Sequence, residues 1–214
     1  MLMEVAKQLK TAFILLVAFT ILTGFVYPSI VTSIANLLFP WQATGSLIIV
    51  NNNVIGSALI GQSFTDPRYF WGRPSATTPY PYNTENSSGS NFSSNNPQYI
   101  DLVKQRIANI QKFNPNQHDV IPADLVTASA SGLDPDISPA AAFYQVPRIA
   151  KIRHVSEPAI QQLIINTITD RDFKLLGEQR VNVLQLNIAL DHLAPEKNIN
   201  GKKTLKPRNA IKTR

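Results

Sequence analysis

The chain has 214 residues, room for a membrane anchor and one domain of ordinary size with its own core. It has no cysteine, which excludes disulfides, thiolate catalysis and Cys-ligated zinc or iron–sulfur centres. The net charge of +6 is local: residues 196–214 hold seven Lys/Arg and one Asp/Glu, and the rest of the chain is neutral.

No charged residue stands between Lys10 and Asp66. The first part of that run, residues 11–39 (TAFILLVAFTILTGFVYPSIVTSIANLLF), is apolar enough for lipid. About 20 such residues cross a hydrocarbon core, so a single transmembrane anchor is expected there. Lys7 and Lys10 precede the span, and no Lys or Arg follows it until Arg68. Positive charge close to a span stays inside. This predicts a cytoplasmic N-terminus (1–10), an anchor (11–39), an extracytoplasmic domain (40–195) and a basic tail (196–214). A signal peptide cut after Ser33 and Ala35 is the alternative. The apolar run is longer than the ~7–15 residues of a signal core. Pro28 should kink the helix or mark its exit. Thr20 with Gly24, and Ser29 with Ser33, give faces small enough for another membrane helix.

Leu47–Val50 and Val54–Ile60 are β-prone runs around Asn51-Asn52-Asn53, which predicts a hairpin. Residues 65–97, rich in Pro, Ser, Asn, Gly and Tyr, predict a long loop, and residues 83–96 lean toward disorder by composition. Asn96-Pro97 is a helix start, followed by the stripe Ile100, Val103, Ile107, Ile110. Ser138-Pro139 repeats that signal before PAAAFYQVPRIAKIR, and Ser156 caps a third helix. Residues 181–191 (VNVLQLNIALD) alternate and predict a half-buried strand. Strands at both ends with helices between give an α+β class: a single N-terminal transmembrane helix followed by one mixed α/β extracytoplasmic domain.

Motifs of chemistry are sparse. His118, His154 and His192 lack ligand spacing, and HExxH, GxSxG and SxxK are absent. Gly201-Lys202-Lys203-Thr204 fails as a phosphate loop because no Gly stands five residues before Gly201. Asp134 and Asp136 share a Pro-flanked turn that could bind a cation or stabilise the turn itself. Arg148, Lys151 and Arg153 are expected to pair with those carboxylates. The tail reads as a disordered extension or as a polybasic segment attracted to anionic lipid.

Five ordered blocks go further. GSALIGQSF (56–64), RYFWGRPSA (68–76), SSGSNFSSNNP (87–97), VTASASGLDPDISPAAAFYQVPRIAKIR (126–153) and GEQRVNVLQLNIALD (177–191) resemble the KdpC family, the C subunit of the ATP-driven potassium transporter Kdp. Ser88 departs from the usual Gly, and Ile152 from a small residue. The resemblance implies a non-catalytic, single-span subunit of the plasma (inner) membrane. Its partners would be a P-type ATPase subunit, a channel-like potassium-binding subunit and membrane lipid, with no nucleic acid. It implies no metal and no cofactor of the chain's own; ATP acts through the partner ATPase, and potassium is the transported ion. The absence of DKTG agrees with a subunit that is not itself phosphorylated. The family role is assembly, together with that of a catalytic chaperone raising the ATPase subunit's affinity for ATP. The Gln of YQVPR, linked in the family with nucleotide effects, is Gln145. Because ATP is cytoplasmic and the charge rule puts Gln145 outside, an indirect effect is expected, through docking on the partners' outer face. Tyr69, Phe70, Trp71 and Arg73 are the expected docking residues, since aromatics and Arg anchor interfaces; filling the domain's own core is their other reading. Alternatives of other classes are a membrane-anchored extracytoplasmic hydrolase and a lipid-surface binding domain.

Overall fold

The computed structural model describes residues 2–115 and 117–194, so the basic tail and Gly201-Lys202-Lys203-Thr204 lie outside the described residues. The chain divides into two compact units, Met1–Ser57 and the segment from Ala58 on.

The first unit begins with one continuous helix, α1 (Leu2–Ile21), a π-helical turn (Leu22–Val26) and α2 (Tyr27–Leu38). Met3–Leu38 is long and apolar enough to cross a membrane. Pro28 does not end this helix. Its ring would clash with the carbonyl four residues back, at Gly24, and it has no N–H to donate. The wider i→i+5 turn just before it, closed by Tyr27 N–H on Leu22 O, relieves that clash without breaking the rod. Thr20 and Ser33 turn their hydroxyls back onto Leu16 O and Ser29 O, at 2.7 and 2.8 Å. Such back-bonding satisfies a polar group inside an apolar helix.

After α3 (Pro40–Ala43), β1 (Leu47–Val50) and β2 (Asn53–Ser57) form an antiparallel hairpin, with Ile49 opposite Val54. Asn51 and Asn52 both take positive φ, 51° and 66°, as a tight two-residue hairpin turn requires. The hairpin is the expected one, with its second strand ending at Ser57 rather than Ile60.

In the second unit no helix or sheet strand forms from Ala58 to Asn96, as the composition predicts. The polar tract within it is nevertheless held in place. Asn83 is buried, its Nδ2 donates to Thr78 O at 2.8 Å, and Ser87 Oγ donates to Ser131 O at 3.0 Å. Helix α4 (Pro97–Phe113) starts as expected, with Asn96 Oδ1 accepting from Gln98 N at 2.8 Å. A short strand β3 (Asp136–Ile137) leads into α5 (Pro139–Tyr144), capped by Ser138 Oγ on Ala141 N. Then come α6 (Val146–Arg153), α7 (Glu157–Thr167), β4 (Ile168–Thr169), β5 (Arg180–Asn182) and α8 (Val183–Leu193). The sheet order is β3-β5-β4, all antiparallel.

The expected strand over 181–191 is therefore corrected: only its first two residues pair as β5, and the rest is helix. Val183, Leu184, Leu186, Asn187 and Leu190 are all buried. A helix buried on most of its surface loses the polar face that would reveal its period. Its start signal is present in the sequence, since Asn182 Oδ1 accepts from Gln185 N at 3.1 Å, three residues on. Ile149, Ile160, Ile164, Val181, Leu186 and Leu190 form the centre of the core, each fully buried. At roughly 1.5–3 kcal/mol per buried aliphatic side chain, this cluster gives the unit its stability.

Candidate functional site

The segment 67–71 has no regular structure, yet it lies against the core. A backbone so placed must find hydrogen-bond partners. They come from side chains of α6, α8 and the junction before α6. Arg148 Nη1 donates to Pro67 O and, at 3.1 Å, to Tyr69 O. Arg153 Nε donates to Arg68 O at 2.9 Å. Asn187 grips Phe70 on both sides: Phe70 N donates to Asn187 Oδ1 at 2.8 Å, and Asn187 Nδ2 donates to Phe70 O at 3.0 Å. Gln145 does the same one residue on: Trp71 N donates to its Oε1 at 2.8 Å, and its Nε2 donates to Trp71 O at 3.2 Å. All five carbonyls from Pro67 to Trp71 are thus taken by side chains, with two amides standing in for a neighbouring strand.

The local sequence explains how Gln145 reaches this place. Pro147 has no N–H, and its ring would clash with the carbonyl of Phe143 in a continuous helix. The chain therefore breaks between α5 and α6, and Gln145 is the hinge residue, 2% exposed. Besides Trp71, its Nε2 donates to Ala141 O at 3.2 Å and its Oε1 accepts from Arg148 Nη2 at 2.7 Å. An amide has two donor hydrogens and two acceptor lone pairs; here all four are used.

Arg148 joins the two halves of this clamp. Its guanidinium lies 4.2 Å from the Trp71 ring centre, a cation–π contact on a half-buried ring. Burial pushes its pKa down to about 10, with the Asp66 carboxylate opposing, so it remains charged at neutral pH. Arg153 repeats the pattern nearer the surface. It lies 4.5 Å from the Tyr69 ring and 2.7 Å from Asp191 Oδ1, while Tyr69 Oη donates to Asp191 Oδ2 at 3.1 Å. Asp66 and Arg68 close the outer edge as a short ion pair, and the hydrogen bond from Arg68 holds the Asp66 carboxyl below its ordinary value.

A family model described as KdpC, the c chain of K+-transporting ATPases, matches residues 9–192. The chain belongs to the KdpC family. It is 52% identical over 187 residues to a protein of Methylococcus capsulatus named potassium-transporting ATPase KdpC subunit, covering 87% of this chain and 98% of that protein. Proteins of the same name from Burkholderia cenocepacia (54% over 178 residues, 83% and 92% covered) and Dechloromonas aromatica (53% over 186 residues, 87% and 97% covered) are similar.

In this KdpC chain the expected docking residues have different surroundings. Phe70 is fully buried and belongs to the core, which removes it from any outer face. Trp71 is half-buried, packs edge-on against Phe113 at 5.4 Å, and donates its indole N–H to Asp66 O at 3.0 Å. Arg73 pairs with Asp134 at 3.1 Å. Tyr69, Trp71 and Arg73 each keep part of their surface exposed.

The expected pairing of Arg148, Lys151 and Arg153 with Asp134 and Asp136 does not form. Arg148 and Arg153 turn to the 67–71 segment and Asp191, and Asp136 is 3.3 Å from Arg180 instead. His118, His154 and His192 are all exposed; His154 and His192 directly follow Arg153 and Asp191 in sequence but take no part in the clamp's hydrogen bonds. Sequence reading missed Arg148, Arg153, Asn187 and Asp191 as members of one arrangement. The only local signal was that Arg148 falls within YQVPR, with Arg153 five residues on, and that Asn187 and Asp191 fall within LNIALD.

Proposed function

We propose that this chain is an accessory, non-catalytic subunit of a potassium-transporting P-type ATPase complex, and that any effect of Gln145 on ATP is indirect. Family membership supports the first part. The observation that carries the second is the saturation of Gln145: its whole amide is spent on Trp71, Ala141 and Arg148, which leaves nothing for a nucleotide. Lys7 and Lys10 before the span, with no Lys or Arg after it until Arg68, support a cytoplasmic N-terminus and an extracytoplasmic domain. The chain would then lie in the inner membrane, bound to the ATPase subunit and the channel-like potassium-binding subunit. Tyr69, Trp71 and Arg73 contribute to the docking face. The clamp fixes that face, and docking biases the pump toward a conformation with higher ATP affinity, the chaperone role.

The test is potassium-stimulated ATP hydrolysis by the purified complex with and without this chain. Loss of assembly, or a raised KM for ATP at unchanged kcat, supports the reading. Partners that assemble and hydrolyse ATP identically without the chain would remove it.

A further inference from the structure

A cavity of about 420 Å³ is lined by residues of α4, by residues 63–65, 71–75 and 81–82, and by Leu125. That volume lies in the ~300–1,000 Å³ range of small-molecule sites, which are mostly apolar with a few placed polar groups. Ile110 and Leu125 in its wall are buried, and Phe64, Trp71 and Leu102 are half-buried. Its exposed lining is mostly polar, with Ser63, Thr65, Gln105 and Asn109. None of the lining residues is acidic, yet two are arginines. Arg73 is neutralised by Asp134 at 3.1 Å, and its buried Nε has no hydrogen-bond partner among the described residues. Arg106 is half-buried and donates from Nη1 to Val126 O at 2.9 Å. Among the described residues no carboxylate forms an ion pair with it. The positions three and four away on α4 are Leu102, Val103, Asn109 and Ile110, so its own helix face supplies no counter-ion. Burial lowers the Arg106 pKa, with the Tyr99 phenol opposing. Tyr82 adds no negative charge to the wall: burial pushes its pKa up to about 12, and its Oη donates to Arg73 O at 2.6 Å.

A cation is repelled from such a cavity. A neutral guest would desolvate the Arg106 guanidinium further and give it no counter-charge. A multiply charged anion would meet a single uncompensated guanidinium. We infer that the cavity is a binding site for a small monocarboxylate with an apolar or aromatic body, its carboxylate on Arg106 and its body against Trp71, Ile110 and Leu125. The planar fork of an arginine takes a carboxylate through two parallel N–H···O bonds. The bond to Val126 uses one of the five N–H groups that a guanidinium carries. Gln105 and Asn109, exposed on the same helix, add amide N–H donors to the lining. The cavity shares only Trp71 with the clamp, and the inference stands apart from any effect of the chain on ATP affinity.

The probe is fluorobenzoate, with fluorobenzamide as its neutral counterpart, followed by fluorine NMR line broadening on the full chain in lipid nanodiscs against empty nanodiscs. Saturable binding of the benzoate is expected, displaced by hexanoate, with the amide weaker by roughly tenfold or more. Arg106→Gln should weaken the benzoate by a similar factor and Arg106→Lys by less, because lysine keeps the charge without the fork. Asn109→Asp sets a carboxylate one turn from Arg106 and should weaken binding as well, while leaving every core contact in place. Urea midpoints of each variant separate loss of the site from loss of the fold. The inference is overturned by an amide that binds as tightly as the benzoate, by unchanged binding in folded Arg106→Gln, or by no saturable binding up to roughly 10 mM. Binding by the chain alone that vanishes in the purified complex also overturns it, and identifies a partner's own carboxylate as the occupant.

Discussion

Among the described residues before Ala58, apolar side chains stay largely exposed and only Ser46 is buried; after Ala58, even the amide of Gln145 and the guanidinium of Arg148 are inside. The first unit keeps its apolar surface exposed. The second packs a core and uses polar side chains to hold a loop against it. The difference separates two kinds of residue. Substitutions in the clamp should change the folded state of the second unit, whereas substitutions on the hairpin should leave it unchanged.

The largest expected effect comes from Arg148→Ala. It strips donors from Pro67 O, Tyr69 O and Gln145 Oε1 and removes the stack on Trp71. A loss of ~3–4 kcal/mol in unfolding free energy is expected, by urea titration of the full chain in detergent followed by tryptophan fluorescence. Gln145→Ala leaves both Trp71 backbone groups unpaired and should cost about 2–3 kcal/mol. Asn187→Ala does the same to Phe70 and should cost about 2 kcal/mol. Equal stability of all three with the parent chain would mean that the clamp is not what holds residues 67–71.

A smaller effect is one of pH. Burial raises the Asp136 pKa above its ordinary 3.8, with Asp134 adding to it and Arg180 opposing. The folded chain therefore keeps that proton to higher pH than the unfolded chain. Just above 3.8 the folded state binds more protons, so this carboxyl's contribution to stability falls as pH rises through the window. Asp136→Asn removes that fall. Urea midpoints measured from about pH 3 to 7 should show the parent declining relative to the variant across the window. A constant difference would contradict it. The smallest effect belongs to the hairpin: Val54→Ser should leave unfolding of the second unit within about 0.5 kcal/mol of the parent.

The same contrast explains what was legible in the sequence. The span, the hairpin turn at Asn51-Asn52 and the starts at Asn96-Pro97 and Ser138-Pro139 rest on interactions between near neighbours, and all were readable. Helix α8 was not, because burial of Val183, Leu184, Leu186 and Leu190 blurred its period, though Asn182 with Gln185 announced its start. The clamp was invisible for a different reason. Gln145 meets Trp71 across 74 residues, and Asn187 meets Phe70 across 117; nothing local couples such pairs. In the aromatic loop an interface anchor and a core plug look alike in sequence, and Phe70 is the plug.

The most direct test of the indirect role of Gln145 is ATP binding to the full chain alone, beside the KM for ATP of complexes carrying Gln145→Ala. The account predicts no ATP binding by the isolated chain, and a KM shift matched by Arg148→Ala and Asn187→Ala in order of their lost stability. ATP binding by the chain alone that Gln145→Ala abolishes without loss of stability would contradict it.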